Sequence, residues 1–329
     1  MRAVVVKKYG PPEVARVVEV PDLEPRAGEV LVRVRATSVT SGDARMRSGS
    51  FPPGFALPGK LAMGIRGPRA RVLGVVFSGE VAALGAGVDR LAVGDRVSGM
   101  TGGACGAHAE FVRVKAAKAL PTPDGLSPDD AAAVLFGGST ALDFLVTKAG
   151  LDARPGASVL VNGASGSVGS AAVQLARHLG ARVTAVTSTI NNEFVRGLGA
   201  ERTIDYRETP LATLADAGER FDVVLDTVGN ISVPLGRRLL ADGGVLLLAV
   251  AGLGDTISAR GNVKAGPASE KPEHLARVLQ LAADGVLTPN IEASYPLERI
   301  AEAYARVDSG RKVGNIVVHP HPVDAEVQP

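Results

Sequence analysis

A glycine-rich turn within residues 159–169, which read VLVNGASGSVG, carries the residue types and spacing best suited to chemistry. The apolar, β-branched start of this segment predicts a buried strand, and the apolar spacing after Ser167 predicts a helix. Backbone N–H groups are free in the first turn of a helix and bind anions, and glycine lets a phosphate approach the backbone closely. The spacing Ala164-x-Gly166-x-x-Gly169 is that of a dinucleotide-binding turn in which alanine replaces the first glycine.

The same small residues would also suit an ordinary strand–turn–helix that only requires close packing. The residues that follow favour the binding interpretation, because Gly180 and Ala181 end the helix and residues 182–187 read as a second strand. The chain therefore returns parallel to the first strand after one helix, as the motif requires. The predicted phosphate-binding residues are Asn162, Gly163, Ala164, Ser165, Gly166, Ser167, Val168 and Gly169.

The end of the second predicted strand bears on which dinucleotide binds. An Asp or Glu at this point would hold the ribose hydroxyls of NAD. Residues 187–192 instead read TSTINN, and the first acidic residue is Glu193. Hydroxyl and amide groups without a carboxylate tolerate a 2′-phosphate, which favours NADPH and leaves NADH as the alternative. Ser188, Thr189 and Asn192 are the predicted contacts, and the competing interpretation is a polar loop that binds nothing.

Composition limits the classes of protein that the chain could represent. Its 329 residues suggest two domains, and a net charge of +2 gives no reason to expect nucleic acid or an anionic membrane as a partner. No run of 18 uncharged apolar residues occurs, so no transmembrane helix is expected. The N-terminus reads as a strand rather than a signal peptide, and the single cysteine, Cys105, fits a reducing cytoplasm.

The order of predicted elements indicates two different architectures. Residues 1–120 contain many short strands separated by Gly and Pro turns, which predicts a small closed or rolled β domain. Strands and helices alternate from residue 156 to about 260, which predicts a doubly wound parallel sheet and an α/β fold class. Residues 127–135 and 137–148 predict two helices before it. Helices are also predicted at 273–284 and 296–306, a strand at 314–318, and a loose tail over 319–329.

Short segments spread along the chain resemble the zinc-free quinone oxidoreductase branch of the medium-chain dehydrogenase/reductase superfamily. The segments lie at residues 9–14, 28–32, 94–97, 106–111, 137–141, 162–169, 198–200 and 226–229. The resemblance implies a GroES-like β domain built from residues 1–122 plus 287–329. It also implies an inserted Rossmann domain at 123–286, an active site in the cleft between the two, and a homodimer.

The resemblance implies further cofactor contacts. Tyr206 matches a tyrosine near the adenine, and Arg207 would add positive charge, whereas Ile190 stands where NADPH-binding relatives often have Lys or Arg. Thr140 matches a position that contacts the nicotinamide or its phosphate, with helix N-capping as the alternative. The remaining implied contacts follow strands at the carboxyl edge of the sheet or precede the last strand, and they are Thr227, Val228, Gly229, Val250, Ala251 and Asn315.

The resemblance also implies chemistry without a metal. Zinc-dependent relatives hold zinc through Cys and His, but residues 40–43 here read TSGD, residues 74–76 read GVV, and four-cysteine coordination is excluded by a single cysteine. His108, His178 and His274 are isolated and are expected to be ordinary core or surface histidines. Without a metal as Lewis acid, reduction of a quinone or an α,β-unsaturated carbonyl is expected.

On the substrate side, the expected catalytic residues are Thr40, Asp43 and Arg45. Arg45 stands where relatives have a tyrosine thought to touch substrate and could hold an enolate oxygen, or it could simply be solvated. Asp43 could orient its loop rather than act as an acid. Residues 51–71 predict either a flap over an apolar substrate pocket or a loop packed on the β domain. The alternatives for the whole protein are a biosynthetic enoyl reductase and a non-catalytic NADPH-binding sensor or scaffold.

Overall fold

The computed structural model describes residues 1–322, so residues 323–329 of the predicted tail lie outside the described part. Its strands are β1 (Arg2–Val6), β2 (Ala15–Glu19), β3 (Glu29–Ser38), β4 (Val76–Leu84), β5 (Arg96–Met100), β6 (Phe111–Lys115), β7 (Leu120–Pro121), β8 (Ser158–Asn162), β9 (Arg182–Thr187), β10 (Arg202–Asp205), β11 (Phe221–Asp226), β12 (Leu240–Leu248), β13 (Val263–Ala265), β14 (Ile291–Pro296) and β15 (Asn315–His319). Its helices are α1 (Ser41–Ser48), α2 (Ala56–Met63), α3 (Pro128–Leu142), α4 (Ser167–His178), α5 (Asn192–Gly197), α6 (Leu211–Asp216), α7 (Val233–Arg238), α8 (Leu253–Ser258), α9 (Pro272–Ala283) and α10 (Ile300–Asp308).

A six-stranded parallel sheet with the order β10-β9-β8-β11-β12-β13 forms the first unit. The middle residues of its central strands β8 and β11 are apolar and fully buried, because helices cover both faces of the sheet. Val161 of β8 is fully buried and pairs with Ala185 of β9 on one side and Leu225 of β11 on the other. The strand order reverses between β8 and β11, and ligands bind at such a switch point. The predicted α/β, Rossmann-type fold class is confirmed.

Both ends of the chain contribute to a second, mostly antiparallel sheet with the order β14-β15-β3-β4-β5-β7, in which β6 also pairs with β3. Val317 of β15 lies opposite Ser38 of β3, so the last strand joins one of the first. This arrangement confirms the GroES-like β unit with a Rossmann unit inserted in the chain. The boundaries at residues 122 and 287 stay a prediction.

One helical segment replaces the two predicted over residues 127–148. Helix α3 runs through Gly137 and Gly138 and continues as a π-helical stretch over Asp143–Lys148. Both positions require glycine because of neighbouring helices. A Cβ at Gly137 would lie 2.4 Å from the Ser167 carbonyl oxygen, and a Cβ at Gly138 would lie 2.7 Å from the Val278 side chain. They allow α4 and α9 to pack closely, and the prediction that they begin a helix is wrong.

Helix α3 and the π-helical stretch that continues it form the one helical segment among residues 1–322, Pro128–Lys148, that is long and apolar enough to cross a membrane. Most of the apolar part of this segment, 72%, is buried inside the protein. Its neighbours are α4 and α9, against which its alanines and glycines pack.

Three other predictions are corrected. Residues 51–71 contain helix α2 instead of being loop throughout. Of the helix predicted at 296–306, Pro296 belongs to β14, Leu297–Arg299 form a 3₁₀ turn, and α10 begins at Ile300. The predicted tail is ordered at its start, since His319 ends β15 with its Nε2 2.9 Å from Asp129 Oδ1, and His321 Nε2 lies 3.1 Å from the Glu110 carbonyl oxygen.

Candidate active site

A cleft of about 730 Å³ opens at the switch point between β8 and β11 and extends to the second sheet. It is lined mainly by the glycine turn, the ends of the neighbouring parallel strands, the start of α1, and the stretch that leads into β15, with further residues from α3, β14 and α10. Its lining residues from the predicted set are Thr40, Asn162, Gly163, Ser165, Gly166, Ser167, Val168, Ser188, Tyr206, Thr227, Val228 and Asn315.

The three glycines of the turn differ in what a side chain at each position would meet. Gly163 has a φ of +80°, and a Cβ there would lie 2.6 Å from Thr227 Oγ1. A Cβ at Gly169 would lie 2.1 Å from the Gly163 carbonyl oxygen, so that glycine lets the helix pack onto the turn. At Gly166 the nearest atom to a Cβ would be the Gly163 oxygen at 3.5 Å, which is ordinary contact. The protein itself therefore does not require glycine at 166, but a ligand approaching the backbone would.

Helix α4 begins at this turn with its first N–H groups directed towards the cleft. Gly166 is the N-cap, and it provides no side chain to cap the helix. The N–H groups of Gly163 and Ala164 are both taken by the Val186 carbonyl oxygen at 3.1 Å, which fixes the turn. The first N–H groups of α4 lack intrahelical partners and lie at the positive end of the helix dipole. A diphosphate fits these donors.

A buried carboxylate fixes the turn that follows β11. Asp226 is fully buried and accepts hydrogen bonds from the N–H groups of Val228 and Gly229 at 2.9 and 3.1 Å. Asn162 Nδ2 also donates to Asp226 Oδ1, at 2.9 Å, and Thr227 Oγ1 donates to the Asn162 carbonyl oxygen at 2.7 Å. Asp226 was not among the predicted residues, although an acidic residue that ends a buried strand is a signal for such a role.

The end of β9 places polar groups, and no carboxylate, on the cleft. Asn191 Nδ2 donates to both Ser165 Oγ and Ser188 Oγ at 3.2 Å, and these three residues line the cleft. Thr189 instead donates to Asp205 Oδ2 through its N–H and its hydroxyl, at 2.7 and 2.6 Å. The Thr189 hydroxyl bond is the main cause that lowers the pKa of Asp205, whose carboxylate is thus held away from the cleft.

Cations gather along the lip of the cleft in a way that was not predicted beyond Arg207. Arg311 and Lys312 line it as well, on a stretch whose Gly314 N–H donates to the Ser165 carbonyl oxygen at 2.8 Å. Burial lowers the pKa of Lys312 to about 8, and its Nζ donates to the Gly314 carbonyl oxygen at 2.5 Å. Two adjacent cations between glycines just before a strand were the available signal.

One carboxylate lies among the described residues that line the cleft. It belongs to Glu292, which is paired with Arg306 through an Nε–Oε2 contact of 2.8 Å and a second, shorter contact. The charges of this pair offset each other, whereas Arg207, Arg311 and Lys312 form no ion pair with a carboxylate of residues 1–322. The cleft is therefore electropositive, which suits an anionic ligand.

The residues predicted for catalysis have three different placements. Thr40 lines the cleft, and its hydroxyl donates to Asp43 Oδ2 at 2.6 Å. Asp43 is fully buried outside the cleft lining and also accepts from the N–H groups of Thr40 and Gly74, at 2.9 and 3.2 Å. It is placed to position the start of α1. Arg45 does not line the cleft either, but it lies one helical turn after Ser41, which does. Burial lowers the pKa of Arg45.

Several predicted cofactor contacts lie behind the cleft surface. Thr140 is in the middle of α3, where its hydroxyl donates to the Phe136 carbonyl oxygen at 2.8 Å, so the predicted position at a helix start is wrong. Phe136 itself lines the cleft. The other predicted site residues outside the lining are Ala164, Gly169, Thr189, Asn192, Gly229, Val250 and Ala251.

Two further observations concern possible metal ligands and an unpartnered hydroxyl. Within residues 1–322, no group of three or more His, Cys, Asp or Glu side chains is placed to hold a metal ion. His108 is fully buried, with Nε2 3.2 Å from the Ser38 carbonyl oxygen and Nδ1 3.2 Å from the Tyr304 hydroxyl.

Ser38 lines the cleft, and its hydroxyl has no hydrogen-bond partner among the described residues.

Comparison with known proteins agrees with this geometry. Two family models match: "Alcohol dehydrogenase GroES-like domain" over residues 26–124 and "Zinc-binding dehydrogenase" over residues 198–318. The chain is 30% identical over 319 residues to the chloroplast envelope quinone oxidoreductase homolog of Arabidopsis thaliana, covering 92% of this chain and 93% of the relative. It is 32% identical to polyketide synthase GfsB of Streptomyces halstedii, covering 88% of this chain but 5% of the synthase. The structure of Escherichia coli quinone oxidoreductase complexed with NADPH has a TM-score of 0.79 at 25% identity, covering 97% of this chain and 100% of that one.

Proposed function

Because the chain belongs to the quinone oxidoreductase branch of the medium-chain dehydrogenase/reductase superfamily and is an NAD(P)H-dependent oxidoreductase, we propose that it uses NADPH to reduce a quinone or an α,β-unsaturated carbonyl without zinc. The observation that carries the proposal is the charge of the cleft. An uncapped helix N-terminus and three cations surround it, and the end of β9 contributes no carboxylate.

The preference for NADPH follows from what each end of the cleft would bind. The start of α4 donates backbone hydrogen bonds to the diphosphate. Ser188 and Asn191 offer neutral polar groups to the ribose, and Asp205, the nearby acid, is turned towards Thr189. Arg207 and Arg311 form no ion pair with a carboxylate of the described residues and are available to a 2′-phosphate, although Asp205 lies near enough to Arg207 for the two charges to interact. The relative from Escherichia coli, whose structure holds NADPH, supports the same choice.

NADPH, when bound, supplies the hydride, and the protein binds and orients the reactants. Thr40, Ser41 and Phe136 line the part of the cleft that belongs to the second sheet and α3. Asp43 holds Thr40 in place by accepting hydrogen bonds from its N–H and its hydroxyl, and a third bond from the Gly74 N–H fixes the carboxylate. We propose that Arg45, which lies outside the cleft lining but one turn beyond Ser41, stabilises negative charge on an enolate or hydroquinone oxygen through a charge-assisted hydrogen bond. Solvent water is the proposed proton source, since no tyrosine is among the cleft-lining residues near Thr40.

Zinc independence is proposed from the residues that occupy the relevant positions. Residues 40–43 and 74–76 contain no Cys or His, and Gly74 serves as a hydrogen-bond donor to Asp43. A conjugated acceptor needs no Lewis acid for hydride addition, because conjugation already polarises its β-carbon. The name of the Arabidopsis relative supports a quinone as acceptor.

A biosynthetic enoyl reductase is the second candidate function. It is favoured by the alignment of nearly the whole chain with a short part of a polyketide synthase. The same hydride chemistry would then act on the C=C bond of an enoyl thioester.

The test is a titration with NADPH and NADH followed by turnover assays on simple quinones, enones and enoyl thioesters. We expect tighter binding of NADPH and steady oxidation with at least one acceptor. Arg311→Gln should reduce the preference for NADPH, while Arg16→Gln, at an exposed position on β2, should not change it. Equal affinity for the two cofactors would contradict the NADPH proposal. Tight binding with no turnover on any acceptor would favour a sensor or scaffold.

A further inference from the structure

Helix α2 is an apolar helix that the rest of the protein does not cover. None of its eight residues is buried. Leu57 and Leu61 are 70% and 55% exposed, and Ile65, just after the helix, is 70% exposed. Leu57, Leu61 and Ile65 are spaced four residues apart. Large apolar side chains exposed together on one short segment mark an interaction surface rather than ordinary solvent-facing positions.

The cations around this helix are exposed and unpaired. Residues 51–71 contain Lys60, Arg66, Arg69 and Arg71 and no acidic residue. All four are exposed, and none forms an ion pair with a carboxylate of the described residues. An apolar helix whose own segment, residues 51–71, carries only positive charges therefore faces solvent.

Two more cations extend the same surface. Arg71 Nη1 donates to the Lys7 carbonyl oxygen at 2.7 Å, which brings Lys7 and Lys8 beside residues 66–71. A Cβ at Gly67 would lie 2.6 Å from that oxygen and 2.9 Å from Lys8 Cα, so the two stretches are in direct contact. Lys7 and Lys8 are exposed. We call the surface formed by residues 7–8 and 56–71 the basic apolar patch.

We propose that the basic apolar patch binds an anionic lipid surface. Leucine and isoleucine side chains can enter the interface between headgroups and acyl chains, while Lys and Arg beside them reach the lipid phosphates. A purely electrostatic partner would match the six cations but leave Leu57, Leu61 and Ile65 exposed. This local charge differs from the expectation drawn from the net charge of +2, because an average over the chain hides a cluster that contains six cations and no acid.

A second copy of the chain is a poor match for the same surface. A two-fold interface sets identical patches against each other. It would bring two clusters of six exposed cations together with no carboxylate on either side to offset them. An anionic bilayer, in contrast, offsets the charge and covers the apolar side chains at once. The proposal does not depend on which substrate the cleft accepts.

The test measures sedimentation of the full chain with two kinds of unilamellar vesicle. One kind contains phosphatidylcholine alone, and the other also contains about 30% phosphatidylglycerol, which gives it an anionic surface. The first variant, Lys8→Gln/Lys60→Gln/Arg66→Gln, removes three charges from exposed side chains. The second variant, Leu57→Ser/Leu61→Ser, removes the apolar contact. The matched control, Arg16→Gln/Lys115→Gln/Arg237→Gln, removes three exposed charges elsewhere.

We expect binding to the anionic vesicles only, weakened by added salt. Each cation near an anionic surface is worth about a fivefold change in affinity, so the first variant should bind roughly 100-fold more weakly. The serine variant should bind at least about tenfold more weakly, and the control should bind like the wild type. Melting temperatures establish that the variants are folded. If the melting temperature of the serine variant is lowered, the charge variant still decides the outcome, because it changes only exposed side chains.

Four results would overturn the proposal. Failure to bind anionic vesicles at low salt is the first, and binding that neither variant weakens is the second. The third is loss of self-association in the serine variant without vesicle binding by the wild type, which would identify the patch as a contact between copies. Binding to polyglutamate but not to vesicles counts against a lipid partner as well and would point to an acidic protein.

Discussion

Substituting alanine for Gly166 separates the needs of the protein from those of its cofactor. Gly166 has a φ of −78° and a ψ of 177°, which alanine adopts without strain. The nearest atom to the added Cβ would be the Gly163 carbonyl oxygen at 3.5 Å, an ordinary contact. The residue also lines the cleft at the start of α4. The methyl group would therefore fit the folded protein and occupy space that a diphosphate needs.

The two effects of Gly166→Ala have opposite signs. Replacing glycine by alanine at a compatible backbone geometry raises the free energy of unfolding by about 0.4–1 kcal/mol, because the unfolded chain loses freedom. Keeping the diphosphate away from one backbone N–H removes a hydrogen bond to a charged group, worth about 1.5–3 kcal/mol. We therefore expect an unchanged or slightly higher melting temperature together with a dissociation constant for NADPH that is raised about 10- to 100-fold.

Isothermal titration calorimetry suits the measurement, because the chain contains no tryptophan to report binding by fluorescence. Gly169→Ala is the contrasting variant, since its Cβ would lie 2.1 Å from the Gly163 carbonyl oxygen. It should lower stability as well as affinity. If Gly166→Ala binds NADPH as tightly as the wild type, the diphosphate does not lie on this turn and the reasoning fails. A large loss of stability in Gly166→Ala would refute the steric part.

The remaining predictions concern three buried or partly buried groups. With a pKa of about 8, Lys312 is charged below that pH and neutral above it, so the affinity for NADPH should fall as the pH rises from 7 to 9. In Lys312→Met the affinity should be lower and nearly independent of pH. Calorimetry of both proteins across this range tests the prediction, and the same pH dependence in the two would contradict it. Asp43→Ala leaves the N–H groups of Thr40 and Gly74 unpaired, so urea unfolding should show a loss of about 2–5 kcal/mol, and a loss under about 1 kcal/mol would argue against the positioning role. Burial raises the pKa of Cys105 to about 12, so the native protein should resist alkylation at pH 8 and react once unfolded; rapid modification of the native thiol would be the opposing result.

Features written in local sequence were predictable from sequence alone. The strand, glycine turn and helix over residues 159–169 became β8, the turn and the start of α4, because β-branching, small residues and helical spacing agree there. The absence of an acidic residue at the end of β9 could also be read directly from the sequence of residues 187–192. These signals were enough to predict the proposed phosphate-binding turn, since it is built almost entirely from consecutive residues.

Two features were not predictable from residue types, because one depends on packing between distant segments and the other on local backbone geometry. Gly137 and Gly138 resemble a helix break in sequence, but the close approach of α4 and α9 determines that they lie inside one helix. Asn191 rather than Asn192 faces the cleft, because a short 3₁₀ turn over Thr189–Asn191 sets the rotation before α5 begins. A one-residue difference of this kind follows from local backbone geometry that residue types do not specify.

The stretch before β15 explains why the cleft needs both ends of the chain. β15 pairs with β3 in the second sheet, and Gly314 immediately before it donates to the Ser165 carbonyl oxygen of the glycine turn at 2.8 Å. Gly314 has a φ of +75°, and a Cβ there would lie 2.2 Å from the Asn290 carbonyl oxygen, so the chain can pass so close to the turn only with glycine. Arg311 and Lys312 reach the cleft on this stretch. Two of the three cations on which the proposed preference for NADPH rests are thus supplied from outside the parallel sheet, and a ligand that contacts them joins the two sheets as well as filling the cleft.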